Sequence, residues 1–231
     1  MHDTNVVLWD IDGTLLRSAG MGVRVFASAV ERVTGSTWTP QWLDLGGRTD
    51  PDIALMMLGS MGIDDPRVTL ATLDAVVAGY GAVTDELAAL VTVLPGVHET
   101  IDALADRGAL QTIVTGNLRA GADAKLVAAG LGQHLRLDLG AYGSDPHTAR
   151  VDLVRLAIER VVATGVAVDP DRTWVIGDTP RDLECARAAG VRCALVRTGV
   201  RSDADPDLGS LGADLLLDDL TDPAPLLNAM A

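Results

Sequence analysis

The chain has 231 residues, of which 48% are hydrophobic and 22% charged, so it has enough apolar material for a sizeable core and does not read as disordered. No apolar run approaches the ~18 residues that a membrane span requires. The formal net charge of −14 leaves no basic stripe to displace counterions from nucleic acid, and it would repel an anionic substrate, so any phosphate site must be built from a metal, isolated arginines and helix N-termini.

The N-terminus, MHDTNVVLWD, passes almost directly into a β-branched apolar run, Asn5–Trp9, that reads as a buried strand. It has no basic region ahead of a long apolar stretch, so no signal peptide is expected and a cytoplasmic location is. From about Met21 to Val93 the spacing is helical (Val23, Phe26, Ala27 and Val30; then Leu70, Leu73, Val76 and Val77), with no convincing strand. Leu94-Pro95-Gly96 marks a return. Strand-like runs follow at Leu110–Val114, Trp174–Ile176, Val191–Val196 and Leu215–Leu217. Between them lie helical patterns at Gly121–Ala129, Ala149–Ala163 and Arg181–Ala189, the last stopped by Gly190. Such alternation predicts an α/β fold with a parallel sheet covered by helices on both faces. The sheet domain would comprise residues 1–18 and 94–231, and residues 19–93 would form a helical cap inserted after the first strand. Cys185 and Cys193 have no metal-ligand spacing; a disulfide is open in principle, but buried thiols suit a cytosolic chain better.

Four segments carry the chemistry, each at the end of a predicted strand or the start of a helix, where open α/β sheets bind ligands. Asp10-Ile11-Asp12-Gly13-Thr14-Leu15-Leu16 follows the first strand, and Gly13 suggests a sharp turn that lets both acids face one pocket. Thr115-Gly116-Asn117 follows LQTIV; a hydroxyl and backbone N–H groups ahead of a helix form a phosphate cradle, although the tripeptide alone is also an ordinary helix cap. Arg150 precedes a helix and can pair with both a phosphate oxygen and a nucleophilic carboxylate. Gly177-Asp178-Thr179-Pro180-Arg181-Asp182 follows TWVI, with Pro180 suited to a first helical turn and Asp182 to the dipole there. If the segments converge, Asp10, Asp12, Asp178 and Asp182 share a pocket, and each like-charged pair at ~4 Å costs on the order of 4 kcal/mol at an effective dielectric near 20. A hard divalent cation relieves that repulsion. Mg²⁺ fits, because it keeps waters and accepts a phosphate oxygen, whereas His2, His98, His134 and His147 are too scattered to suggest zinc.

In this order, DxDGTLL, TGN, a basic residue and GDTPRD, with a helical insertion after the first, resemble the haloacid dehalogenase superfamily over essentially the whole chain. The likeness is to its helically capped, phosphoglycolate phosphatase-like phosphatases, with a Rossmann-like core. It implies Asp10 as the nucleophile that forms an aspartyl-phosphate, and Asp12 as the acid that protonates the leaving group and then activates water. It further implies Mg²⁺ held by Asp10, Asp178 and the Asp12 backbone carbonyl, Asp182 in a supporting metal position, and Thr115 on the phosphoryl oxygens. The third motif is lysine in many members, and Arg150 is the nearby candidate here. The sole lysine, Lys125, lies in the helix after TGN, where a solvated role is the expectation.

The expected function is hydrolysis of a small phosphorylated metabolite. Dehalogenation needs no acid at Asp12, and cleavage of phosphonates in this superfamily uses a cap lysine that the chain lacks between Asp10 and Thr115. A phosphohexomutase and a non-catalytic phosphate-binding module are the remaining alternatives. In the cap, Gly46-Gly47-Arg48-Thr49-Asp50 forms a glycine-bearing loop before a helix. Arg48 either reaches a carboxylate or hydroxyl of the substrate or pairs with Asp50 or Asp52 at the surface. Oligomeric state is not legible.

Overall fold

Val6–Trp9 forms strand β1 and is buried along its whole length. Its side chains alternate between two hydrophobic clusters: Val7 and Trp9 pack into one, Val6 and Leu8 into the other. A strand with apolar residues on both faces belongs in the middle of a covered sheet, and β1 lies there. The computed structural model describes residues 4–40, 43–146, 149–199 and 207–231.

After β1 come β2 (Leu16–Arg17) and four helices, α1 (Met21–Thr34), α2 (Asp50–Ser60), α3 (Pro66–Ala82) and α4 (Thr84–Leu90). Then follow β3 (Thr92–Val93), α5 (Val97–Asp106), β4 (Leu110–Thr115), α6 (Arg119–Ala129), β5 (Ala141–Tyr142) and α7 (Leu153–Ala163). The chain continues through β6 (Thr173–Gly177), α8 (Pro180–Ala189), β7 (Arg192–Val196), β8 (Leu215–Leu217) and α9 (Ala224–Ala229). Among the described residues the main sheet has six strands in the order β5-β4-β1-β6-β7-β8. Every pairing in it is parallel. The carboxyl ends of β1, β4 and β6 therefore fall on one edge, side by side.

Most of the expected elements form within a residue or two of their sequence limits. The main departures have physical causes. The expected helix from Ala149 begins as a 3-10 turn, Arg150–Asp152, before α7 takes over, so Arg150 sits on a tight turn rather than in a regular helix. β5 is only two residues long and has no apolar run to announce it; it exists because Ala141 and Tyr142 pair with Val114 and Thr115. The segment before Leu94 does contain strand: Thr92 and Val93 pair antiparallel with Arg17 and Leu16, tying together the two chain segments that lead to and from α1–α4.

Helices α1–α4 surround a hydrophobic cluster of their own, including Val25, Phe26, Met57, Leu58, Val76 and Tyr80, with Leu118 reaching in from the start of α6. Helix α2 starts where the loop chemistry says it should, with Thr49 as N-cap and Pro51 in the first turn. Helix α8 starts with a capping box between Thr179 and Asp182 and ends at Gly190, whose φ of 72° is left-handed. Among the described residues no helix is long and apolar enough to cross a membrane. Cys185 and Cys193 are both buried and free.

Candidate active site

The backbone turns sharply after β1. Gly13 adopts φ 86°, and a Cβ there would lie 2.5 Å from Asp178 Oδ2, so only glycine allows the two motifs to approach this closely. Asp10, Asp12, Arg48, Thr115, Gly116, Asn117, Arg150 and Asp178 all line one cavity of about 650 Å³ between the sheet edge and α1–α2. Asp182 stands just behind it, buried in the first turn of α8.

At the cavity floor Asp10, Asp178 and Asp182 are buried, and one carboxylate oxygen from each lies within 4.8 Å of the others. Arg150 Nη2 donates to Asp10 Oδ1 at 3.1 Å and to Asp182 Oδ1 at 2.5 Å. Arg150 is brought against both acids by the 3-10 turn that packs on α8. Asp182 Oδ2 accepts from the Thr179 backbone N–H at 3.0 Å and from Thr179 Oγ1 at 2.6 Å. Asp182 therefore caps its helix and anchors Arg150 with the same carboxylate. Asp178 Oδ1 accepts from Thr14 Oγ1 at 3.2 Å.

The floor holds more negative charge than Arg150 neutralises. Burial pushes the Asp10 carboxyl up to about 7, against the pull of Arg150, and Asp182 and Asp12 raise it further. Burial likewise raises Asp178 well above the ordinary carboxylate range, followed by repulsion from Asp182 and Asp10. An all-oxygen donor set with surplus negative charge suits a hard divalent cation. Among the described histidines, His98 and His134 are exposed and away from this cluster; His2 and His147 lie outside the described residues.

Asp12 has a different set of partners. Lys125 Nζ donates to Asp12 Oδ2 at 2.6 Å, and Asn117 Nδ2 donates to the same oxygen at 2.7 Å. Asn117 Oδ1 in turn accepts from Lys125 at 2.7 Å, and its Nδ2 also donates to Thr115 Oγ1 at 2.8 Å. The Asn117 side chain thus faces Asp12 and Thr115 rather than open cavity. Lys125 corrects the sequence reading: it is 3% exposed, not solvated. Burial alone would lower its pKa, but the adjacent Asp12 carboxylate raises it overall. The overlooked signal is positional, since Lys125 shares the buried face of α6 with Gly121, Ala122 and Leu126, where a lone lysine needs a charged partner.

The loop before α2 locks onto the same motif. The Asp50 N–H donates to the Gly116 carbonyl at 2.7 Å, and Asp50 Oδ2 accepts from the Leu118 N–H at 2.7 Å. Burial pushes the Asp50 carboxyl up to about 6 despite the pull of Lys125. A Cβ on Gly116 would fall 2.1 Å from the Arg48 carbonyl oxygen, so this glycine is required by the docking of the loop before α2. Arg48 lines the cavity, but its Nε donates to the Asp44 carbonyl at 2.6 Å and its Nη2 lies 3.4 Å from Asp44 Oδ2. Its carboxylate partner is Asp44, not Asp50 or Asp52. Arg181 of α8 takes the same Asp44 carboxylate at 2.5 Å, a second tie between this loop and the sheet side of the cavity.

A cluster of buried aspartates at the carboxyl edge of a parallel sheet, roofed by helices, is the arrangement of a haloacid dehalogenase-like hydrolase. The sequence model of that family matches residues 7–187, and the chain belongs to it. The chain is 32% identical over 221 residues to the phosphoglycolate phosphatase (plasmid) of Cupriavidus necator, covering 93% of this chain and 89% of the relative; it stands among the family's phosphatases. Among solved structures, a hydrolase from Pseudomonas syringae superposes with a TM-score of 0.71 at 19% identity, over 99% of this chain and 100% of that one. CbbY from Rhodobacter sphaeroides, in complex with phosphate, gives 0.70 at 20% identity, over 95% and 96% of the two chains. At such identities these two likenesses speak for the fold alone.

Proposed function

We propose that the protein is a Mg²⁺-dependent phosphatase that hydrolyses a small phosphorylated metabolite through an aspartyl-phosphate on Asp10, with residues 19–93 acting as a cap. The observation that carries this reading is that Asp10 and Asp12, two residues apart, have separate partners: Arg150 holds Asp10, and Lys125 with Asn117 holds Asp12. These separate environments support a division of labour in which one carboxylate attacks and the other manages protons.

In the first half-reaction an Asp10 oxygen attacks phosphorus, the P–O bond to the leaving group breaks, and Asp12 gives its proton to the departing oxygen. In the second, Asp12 takes a proton from water as that water attacks phosphorus, releasing phosphate and restoring the Asp10 carboxylate. A covalent intermediate divides one hard displacement into two, and a single acid–base group serves both. Thr115 and the Gly116 and Asn117 backbone are assigned to the phosphoryl oxygens; Arg150 orients Asp10. Asp10, Asp178 and the Asp12 carbonyl would hold Mg²⁺ with Asp182 in support, and the bound cation would supply charge stabilisation for the phosphoryl oxygens and keep the carboxylates ionised. Arg48, already engaged by Asp44, is assigned to a hydroxyl of the leaving group. The two free buried cysteines suit a cytoplasmic setting.

Phosphate release from a nitrophenyl ester after exhaustive dialysis against EDTA tests the metal requirement. Activity should vanish and return with Mg²⁺; full turnover in excess chelator would remove the metal from the proposal.

A further inference from the structure

The lysine that grips Asp12 is itself covered by α3. Two of the N–H bonds of Lys125 Nζ are directed at Asp12 Oδ2, at 2.6 Å, and Asn117 Oδ1, at 2.7 Å. The ammonium also faces the ring of Tyr80, with Nζ 6.0 Å from the ring centroid. Tyr80 stands in the last turn of α3, is 2% exposed, and lines the same cavity as Asp12 and Lys125. Burial pushes its hydroxyl up to about 12, so it meets the ammonium as a neutral ring.

Helix α6 is shaped to receive that ring. Gly121 and Lys125 are four residues apart, on one face of the helix. A Cβ on Gly121 would lie 2.7 Å from Tyr80 Cε2, so the ring seats where only a glycine leaves room. Glycine weakens a helix relative to alanine, and here it is matched to a close approach. Asp12 has need of a fixed partner, because its own side chain is 41% exposed and would otherwise turn freely at the cavity edge. A lysine free in water keeps its rotamer freedom and could not supply one; a lysine enclosed by Asn117 and Tyr80 can.

We infer that Tyr80 is a positioning residue for the acid: its ring, packed on Gly121, seals Lys125 against Asp12 and Asn117 and so sets the direction in which Asp12 delivers its proton. Through Tyr80, α3 belongs to the chemistry of the floor although its hydrophobic cluster is that of the cap. The inference rests on the phosphatase reading, in which Asp12 protonates the leaving group.

Ethyl phosphate and nitrophenyl phosphate, assayed on the full chain with Mg²⁺, separate placement of the acid from general damage, because the ethoxide leaving group needs the proton and the nitrophenolate needs it far less. Tyr80→Leu should lower kcat/KM on the ethyl ester about three- to tenfold more than on the nitrophenyl ester. Tyr80→Phe, which keeps the ring, should restore the parental ratio. Gly121→Ala favours the helix but displaces the ring, so it should shift the ratio as Tyr80→Leu does, and it carries the test if a thermal melt shows Tyr80→Leu unfolded. In a Lys125→Met background Tyr80→Leu should shift the ratio no further. Equal losses on both esters, the same shift in Tyr80→Phe, or an added shift in the Lys125→Met background would each overturn the assignment. A readout without turnover separates it from the phosphatase reading. Lys125 is the sole lysine, so isotope-labelled lysine gives one side-chain ammonium resonance, whose hydrogen exchange should be slow in the parent and fast in Tyr80→Leu. That acceleration with no ester turned over by the parent keeps Tyr80 as the seal of Lys125 and removes the phosphatase; turnover with ratio and exchange both unaltered in Tyr80→Leu does the reverse.

Discussion

At the floor of the cavity Asp12 is gripped by two donors, Asn117 and Lys125, and Asp10 by Arg150; at the cap wall Val23 and Ile53 offer only hydrocarbon. The floor comes from segments at the carboxyl edge of one sheet, whose positions relative to one another are set by strand pairing. The cap wall comes from two helices in a hydrophobic cluster that meets the sheet domain through the 44–50 loop and through Leu118 and the face of α6. A sheet edge holds atoms to the tolerance that a phosphoryl transfer needs, whereas a helix face can change residue by residue without moving the floor. On the proposed function, chemistry and selectivity are carried by different parts of the chain.

The most drastic way to break the floor alone is Asp10→Asn. Turnover should drop to the uncatalysed background on every ester, and no phosphoenzyme should be trapped by rapid acid quench, while alkylphosphonates still bind. Retained turnover would remove Asp10 as the nucleophile.

Asp12→Asn should be next, costing about a hundred- to ten-thousandfold on alkyl phosphates, as loss of a general acid does. The cost should be smaller on a nitrophenyl ester, whose leaving group needs less help from a proton. Lys125→Met should reproduce this leaving-group pattern at lower amplitude, because the lysine acts through the placement of Asp12. A uniform loss on both esters would instead mark Lys125 as a residue that only stabilises the fold.

The joint between the two regions can be read through Asp50. Its carboxyl is pushed from 3.8 up to about 6, so the folded protein keeps this proton over a range in which the unfolded chain has released it. The corresponding stabilisation is complete below about pH 4 and is lost as pH rises through about 6, a change on the order of 3 kcal/mol. Asp50→Asn retains an oxygen for the Leu118 N–H and removes the titration. In urea melts with chelator present, the variant should lose less stability between about pH 4 and pH 7 than the parent; parallel curves would refute the raised Asp50 value.

The smallest expected effect lies at the edge of the cap wall. Arg48→Ala should cost about ten- to a hundredfold in kcat/KM on substrates that carry a hydroxyl, the range of a charge-assisted hydrogen bond of about 1.5–3 kcal/mol, and little on simple alkyl phosphates. A loss shared equally by both would leave Arg48 with only its tie to Asp44.

What the sequence determined by itself was local. Strands β1, β4, β6, β7 and β8 were readable as short apolar runs; the turn at Gly13 and the starts of α2 and α8 followed from residues within a few positions of each other, whose preferences act without the rest of the chain. The convergence of the four aspartates, Thr115 and Arg150 was legible because each lies at a strand end or beside a helix start, and parallel pairing was enough to bring those places together. Only the tertiary structure decided the rest. Lys125 meets Asp12 across 113 residues of sequence, and nothing near Lys125 in the chain says that α6 turns this face inward. Asn117 faces Asp12 instead of open cavity, Arg48 takes Asp44, and Asp50 clasps Gly116 and Leu118 for the same reason. A charged side chain is equally at home in water or beside a partner, so its role is set by burial and by what packing places within hydrogen-bond reach.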